Sequence, residues 1–296
     1  MSTIMEGPAR APVHPRPPNR IAQNLTGRPY LSYTQISLMR SCPRKFSFQY
    51  VENAKKDFLP VSLIFGGAIH CALEHYFRAR LEGQTACASG LIAAFSDAWR
   101  REEKQAIGTP IRFNAGDDLN TVMDLARRMI DAFLASPLAV PKGTIYGIEE
   151  EITVELDPDL PDIRAKVDLV TEVGRYLHVV DFKTSRSRWN QQKAEENAEQ
   201  LLIYGTTIRS MSEGLGRQTG LHFGIITKAR KPAVQLLPVE SNPDRVAGVT
   251  ESIRQVWRAM QAANFYPNPS PQNCSTCPYK SRCPALAAAR PQCPPF

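Results

Sequence analysis

Two aspartates and a lysine raise the first chemical question: Asp168, and then Asp181-Phe182-Lys183 after twelve intervening residues. Side chains alternate along a strand, so Asp181 and Lys183 share one face. A hairpin would bring Asp168 beside them. Converging carboxylates repel unless a cation joins them, and oxygen ligands favour Mg2+ or Mn2+. A lysine there can position or deprotonate a water and stabilise charge developing at phosphorus. The plainer reading of Asp-x-Lys is a solvated ion pair worth little. Against it stands the run Leu177-His178-Val179-Val180, because charges that end a buried strand need a partner or a task.

The second cluster is NCSTCPYKSRCP, which places Cys274, Cys277 and Cys283 in a C-x2-C-x5-C spacing that is one ligand short. Cys42, in SCPRKF, is the candidate fourth, with 231 residues between it and Cys274; Cys293 is an alternative. Soft thiolates suit zinc or an iron–sulfur cluster, and spacing alone does not separate them. Cys71 and Cys87 sit in helical contexts and read as buried thiols.

Two helical pairs complete the set. In GGAIHCALEHYF, His70 and Glu74 share a face while Ile69, Leu73 and Phe77 face a core. Gly66 and Gly67 would let the helix start approach another backbone closely. In EQLLIYG, Gln200 and Tyr204 lie one turn apart. Singly, each pair is an ordinary polar stripe.

The elements that must position these residues follow from periodicity. Helices are expected near 63–81, 90–105, 119–135, 191–208 and 243–263. Shorter ones are capped by Ser32 or Thr34 and opened by Pro43, the latter running through Phe46 and Tyr50. Strands are expected at 145–156, 163–171, 176–183, 221–228 and 233–239, with Gly174-Arg175 turning the central hairpin. Helices around a sheet of about five strands make an α/β or α+β domain. Residues 1–30, with six prolines and four arginines, read as a disordered basic leader. Residues 31–296 read as one domain that includes the cysteine-rich tail from 264.

Composition sets the class. A chain of 296 residues with 43% hydrophobic content can bury a core. It has no apolar run long enough to span a membrane and no hydrophobic signal core, so a cytoplasmic setting with thiols as ligands is expected. A net charge of +7 favours a polyanionic partner. No G-x-x-x-x-G-K-[ST] stretch occurs, so the chain carries no helicase motor of its own.

Taken in order, Gly66-x3-His70-x3-Glu74, Asp168, Asp181-x-Lys183 and Gln200-x3-Tyr204 resemble the PD-(D/E)XK nucleases of the RecB-like branch. The opening SYTQISLMRSCPRKFSFQYV is similar to that branch's N-terminal segment, and the likeness spans about residues 31 to 284. Val167 stands where the name-giving proline would precede Asp168. The resemblance implies a restriction-endonuclease-like core with a central mixed sheet. It implies that His70, Asp168, Asp181 and the Phe182 carbonyl hold the metal, that Lys183 activates water, and that Gln200 and Tyr204 organise the site. It also implies a [4Fe–4S] cluster on Cys42, Cys274, Cys277 and Cys283, with zinc as the alternative. The expected function is a metal-dependent single-strand DNA exonuclease of repair, recombination, phage or CRISPR-adaptation processing, with a helicase or adaptation partner. The competing class is a non-catalytic iron–sulfur subunit that binds nucleic acid; an iron–sulfur redox or sensor protein would leave the acidic hairpin idle.

Overall fold

The computed structural model describes residues 17–213 and 216–287. The chain opens with α1 (Arg20–Thr26), β1 (Leu31–Ser32), α2 (Tyr33–Ser41), α3 (Pro43–Phe46) and a π-helical stretch (Ser47–Val51). Then come β2 (Leu59–Pro60), α4 (Val61–Leu81), α5 (Ala88–Gln105), β3 (Ile111–Arg112) and α6 (Leu119–Leu134). The sheet and its crossover follow: β4 (Thr144–Val154), β5 (Ile163–Val173), β6 (Tyr176–Ser185), α7 (Gln191–Glu196), α8 (Glu199–Glu213), β7 (Gln218–Thr227) and β8 (Val234–Val239). The chain closes with α9 (Pro243–Gln261), α10 (Pro271–Cys274) and α11 (Pro284–Ala287).

The result is a mixed six-stranded sheet flanked by helices, as the α+β, restriction-endonuclease-like reading requires. β5 pairs antiparallel with β4 and β6, β6 runs parallel to β7, and β8 returns antiparallel. The parallel β6–β7 pair demands a crossover, which α7 and α8 provide. One core lies between the sheet and α2, α8 and α9, around Ile36, Tyr204, Phe223 and Trp257. The other lies beneath α4, α5 and α6, around Phe77, Phe95, Phe133 and Phe182. Phe182 stacks on Phe77 at 5.8 Å and so seats the chemical strand on α4.

Several local expectations change. Arg20–Thr26, within the expected leader, is a helix capped by Asn19 with Ala22 and Thr26 buried; residues 1–16 lie outside the described residues. The helix expected through Tyr50 becomes π-helical after Phe46, with Glu52 donating its amide to the Ser47 carbonyl at 2.8 Å. The helix expected over 191–208 is two helices that part at Asn197. α4 begins at Val61, so Gly66 and Gly67 lie inside it. A Cβ would meet only Thr184 Oγ1 at 3.8 Å from Gly66 and nothing within 4 Å from Gly67, so no close approach demands glycine. Cys87 is exposed rather than buried. Among the described residues no helix is long and apolar enough to cross a membrane.

Candidate active site

The site forms where β5 loses its neighbours on one edge. β1 pairs with that edge only at Ile163 and Arg164, and β6 only from Leu169 to Val173. Between the two contacts the strands fork, and Asp168 stands in the gap. Its Oδ2 accepts the backbone amide of Phe182 at 2.6 Å, replacing the ladder bond the fork removes. The hairpin is turned by Gly174 at φ 60°, a left-handed position that glycine fills without penalty.

His70 reaches the gap from α4, with Nδ1 3.3 Å from Asp168 Oδ1. Burial alone would lower its pKa, but the Asp168 carboxylate against it outweighs that and raises it. Glu149, which sequence reasoning did not single out, comes from β4. It lies between the pairs Ile148↔Leu169 and Glu150↔Val167, abreast of Asp168. Its φ of 54° turns the side chain inward, and Lys166 Nζ lies 2.6 Å from its Oε2. Burial pushes the Glu149 pKa up, with Lys166 opposing. Donor atoms of His70, Glu149 and Asp168 all lie within 4.8 Å of one another. The signal that could have exposed Glu149 is the triplet Glu149-Glu150-Glu151, since alternation forces part of such a run toward the sheet's covered face. Glu74 instead pairs with Arg78 one turn on, at 2.9 Å.

Asp181 is almost wholly buried, with only 2% of its side chain exposed. Burial holds its carboxyl well above the usual range; Lys183 opposes this and Asp168 adds to it. Lys183 Nζ stands 2.6 Å from Asp181 Oδ2, an ion pair, yet that oxygen receives no well-directed hydrogen bond. The same ammonium donates to Gln200 Oε1 at 2.8 Å, and Gln200 Nε2 in turn donates to the Tyr204 hydroxyl. The Lys183, Gln200 and Tyr204 side chains thus form one hydrogen-bonded chain. From Lys183 an open groove runs past Tyr33, Ser37, Ser41, Trp189 and Lys193. Trp189 packs: its ring meets Phe223 at 5.3 Å and its indole donates to Ser185 Oγ at 2.9 Å.

The sequence model of the PD-(D/E)XK nuclease superfamily matches residues 30–284. The chain belongs to that superfamily. It is therefore a nuclease, a phosphodiester hydrolase. Its fold is similar to that of a Eubacterium rectale protein named as a candidate exonuclease, with a TM-score of 0.52 and 12% identity over 93% of this chain and 92% of that one. A second solved structure, SSO0001, aligns over 86% of this chain and 96% of its own at 13% identity and a TM-score of 0.35, which carries no argument. No curated protein sequence matches this one.

Next to the groove, whose lining ends at Ser41, Cys42, Cys274, Cys277 and Cys283 line one small cavity with Lys45, Phe48 and Pro267. Cys42 sits in extended backbone between α2 and α3. Asn273 donates to the Ser41 carbonyl at 2.7 Å, Asp57 donates its amide to Pro278 at 2.7 Å, and Tyr279 is fully buried against Phe48 at 5.4 Å. Burial raises the Cys277 thiol pKa, and Cys42 and Cys274 add to the rise. Cys293 lies outside the described residues.

Proposed function

We propose that this nuclease is a metal-dependent deoxyribonuclease that degrades single-stranded DNA from an end. The observation that carries the reading is the fork between β5 and β6, where Asp168, Asp181, His70 and Glu149 meet Lys183. Three buried or nearly buried carboxylates converge there, each against one basic group (His70, Lys166 or Lys183), and Asp181 Oδ2 lacks a well-directed hydrogen bond. That donor set fits a hard divalent ion such as Mg2+ or Mn2+. His70, Asp168, Asp181 and the Phe182 carbonyl would hold it, with Glu149 as a further acid in reach. When bound, the ion supplies charge that offsets the phosphodiester's developing negative charge and lowers the pKa of a water. Lys183, fixed between Asp181 and Gln200, would orient the attacking water and offset charge developing at phosphorus. Gln200 and Tyr204 hold that ammonium in place. The groove past Tyr33 and Lys193 offers hydroxyls and a cation to a single strand. The exonuclease reading takes its cue from the Eubacterium rectale neighbour's name, and the likeness itself extends to fold alone.

For the four cysteines we propose a [4Fe–4S] cluster. Soft thiolates suit iron–sulfur or zinc, and the cluster reading rests on the resemblance of the Cys42, Cys274, Cys277 and Cys283 layout to the iron–sulfur members of the RecB-like branch. Its role would be to tie the tail to the first helices, whose cysteine shares one cavity with the three in the tail.

The test of activity is incubation of end-labelled single- and double-stranded DNA with Mg2+, Mn2+ or EDTA. Wild type should shorten the single strand in metal and not in EDTA. Asp181→Ala and Lys183→Ala should each lose at least about a hundredfold in rate while still binding DNA. Wild-type-like cleavage by either variant would refute the assignment. Binding without cleavage by wild type would instead make the protein the non-catalytic subunit.

A further inference from the structure

Beyond the catalytic cluster, the open end of the chemical strand carries cations that the mechanism leaves unused. β6 and β7 pair in parallel as far as Ser185↔Thr227, and Lys228 then donates its amide to the Ser185 carbonyl at 2.6 Å. This fixes Lys228 beside Ser185 and Arg186. Alternation turns Lys228 toward α4, where its ammonium lies over the Phe65 ring at 5.1 Å from the centroid. On the same face Thr184 Oγ1 stands near Gly66 of α4. Arg186, Arg188, Arg230 and Lys231 are exposed around it.

Lys228 is half-buried, and among the described residues no carboxylate forms an ion pair with it. Burial lowers its pKa, and Arg186 lowers it further. A half-buried ammonium pressed against a like charge is costly unless an anion completes the site. The position suits a particular anion. Phe65 and His70 are five residues apart on α4, about 7.5 Å along the axis. That is of the order of the spacing between neighbouring phosphates of one strand.

Resting on the nuclease reading above, we propose that Lys228 and Arg186 form a seat for one backbone phosphate of the nucleic-acid strand, close to the bond that is cut. The seat lies on the α4 face of the sheet, whereas the groove past Trp189 lies on the other. A strand held at both would be fixed across the fork, with the scissile phosphate between the two holds. The seat reads no base, so it contributes affinity and register without sequence preference.

The experiment measures anisotropy of a short fluorescein-labelled single-stranded oligonucleotide over a salt series, in an Asp181→Ala background so that the strand survives. Lys228→Met keeps the stem over Phe65 and removes the charge. It should flatten the slope of log K against log salt by about 0.7, the value for one single-strand phosphate contact, equally for different sequences. Lys228→Arg should restore the slope. An uncharged methylphosphonate, placed at each linkage in turn, should weaken binding at one position in the Lys228 protein and not in Lys228→Met. The melting temperature of Lys228→Met should be equal or higher. An unchanged slope with full binding overturns the seat and leaves the nuclease reading standing, as does a lowered melting temperature with no change in slope. A wild-type protein that neither binds nor cleaves any strand overturns the nuclease reading and the seat with it.

Discussion

At the scale of single residues, Asp181 stores a cost in the metal-free protein. Its buried carboxyl has a pKa raised from 3.8 to about 6, chiefly by burial. The unfolded chain ionises it more easily, so this group's contribution to stability is greatest below about pH 4 and declines as pH rises toward 6. Asp181→Asn should therefore stabilise the protein in EDTA at pH 7.5 by about 1–3 kcal/mol while abolishing cleavage. Thermal melts in EDTA and in Mg2+ check this: metal should raise the wild-type melting temperature and leave the variant's unchanged. An Asp181→Asn protein that melts lower than wild type in EDTA would count against it. Glu149 lies among the donor atoms, and Glu149→Gln should raise the metal concentration for half-maximal activity by about ten- to a hundredfold. A superimposable metal titration would exclude Glu149 from the ion's surroundings.

Among the elements, the β6–β7 pair carries an acid-sensitive spot apart from the site. His178 and His222 sit on these neighbouring strands with ring centroids 5.2 Å apart, and His222 Nδ1 is buried without a hydrogen bond. Burial lowers the pKa of both, and His178 lowers that of His222 further. For an imidazole with a depressed folded pKa, stability is fully present above the ordinary value of 6.5 and is lost as pH falls below it. His222→Gln should remove up to about 1.4 kcal/mol per pH unit of that loss, seen in urea midpoints at pH 7.5 and 5.5; an equal fall in both proteins would refute it. These strands were also the most legible elements. The run Val179-Val180-Asp181 with Gly174 at the turn has the residue types of a buried hairpin, and the hairpin stands where it was expected. Glu149 was hidden because its role depends on β4 lying against β5, a pairing between distant segments that local periodicity does not encode. The π-helical turn at Ser47–Val51 was hidden for a different reason: it spans five residues, too few for apolar periodicity to tell an i→i+5 turn from an α-helical one.

The whole molecule is closed by its two ends. Arg44 donates its amide to the Tyr266 carbonyl at 3.0 Å, Phe46 meets Phe265 at 5.9 Å, and Asp57 accepts the Ser281 amide at 3.0 Å. If four thiolates hold a [4Fe–4S] cluster there, Cys42→Ser should be as damaging as Cys277→Ser, and Cys71→Ser far milder. The measurement is iron, sulfide and zinc in anaerobically purified protein: about four irons per chain in wild type, lost equally in Cys42→Ser and Cys277→Ser. Full iron in Cys42→Ser would break the four-cysteine set, and zinc without sulfide would replace the cluster. The meeting of the ends also has a consequence for synthesis. The ribosome delivers Phe46 and Phe48 more than two hundred residues before Phe265 and Tyr279, the aromatic rings that meet them. At about 5–20 residues per second, that apolar face waits roughly 10–45 seconds for its cover while the sheet is still being made. Phe265 and Tyr279 are made only after all the strands of the sheet, so the docking of the C-terminal segment onto this face is the last contact the chain can form.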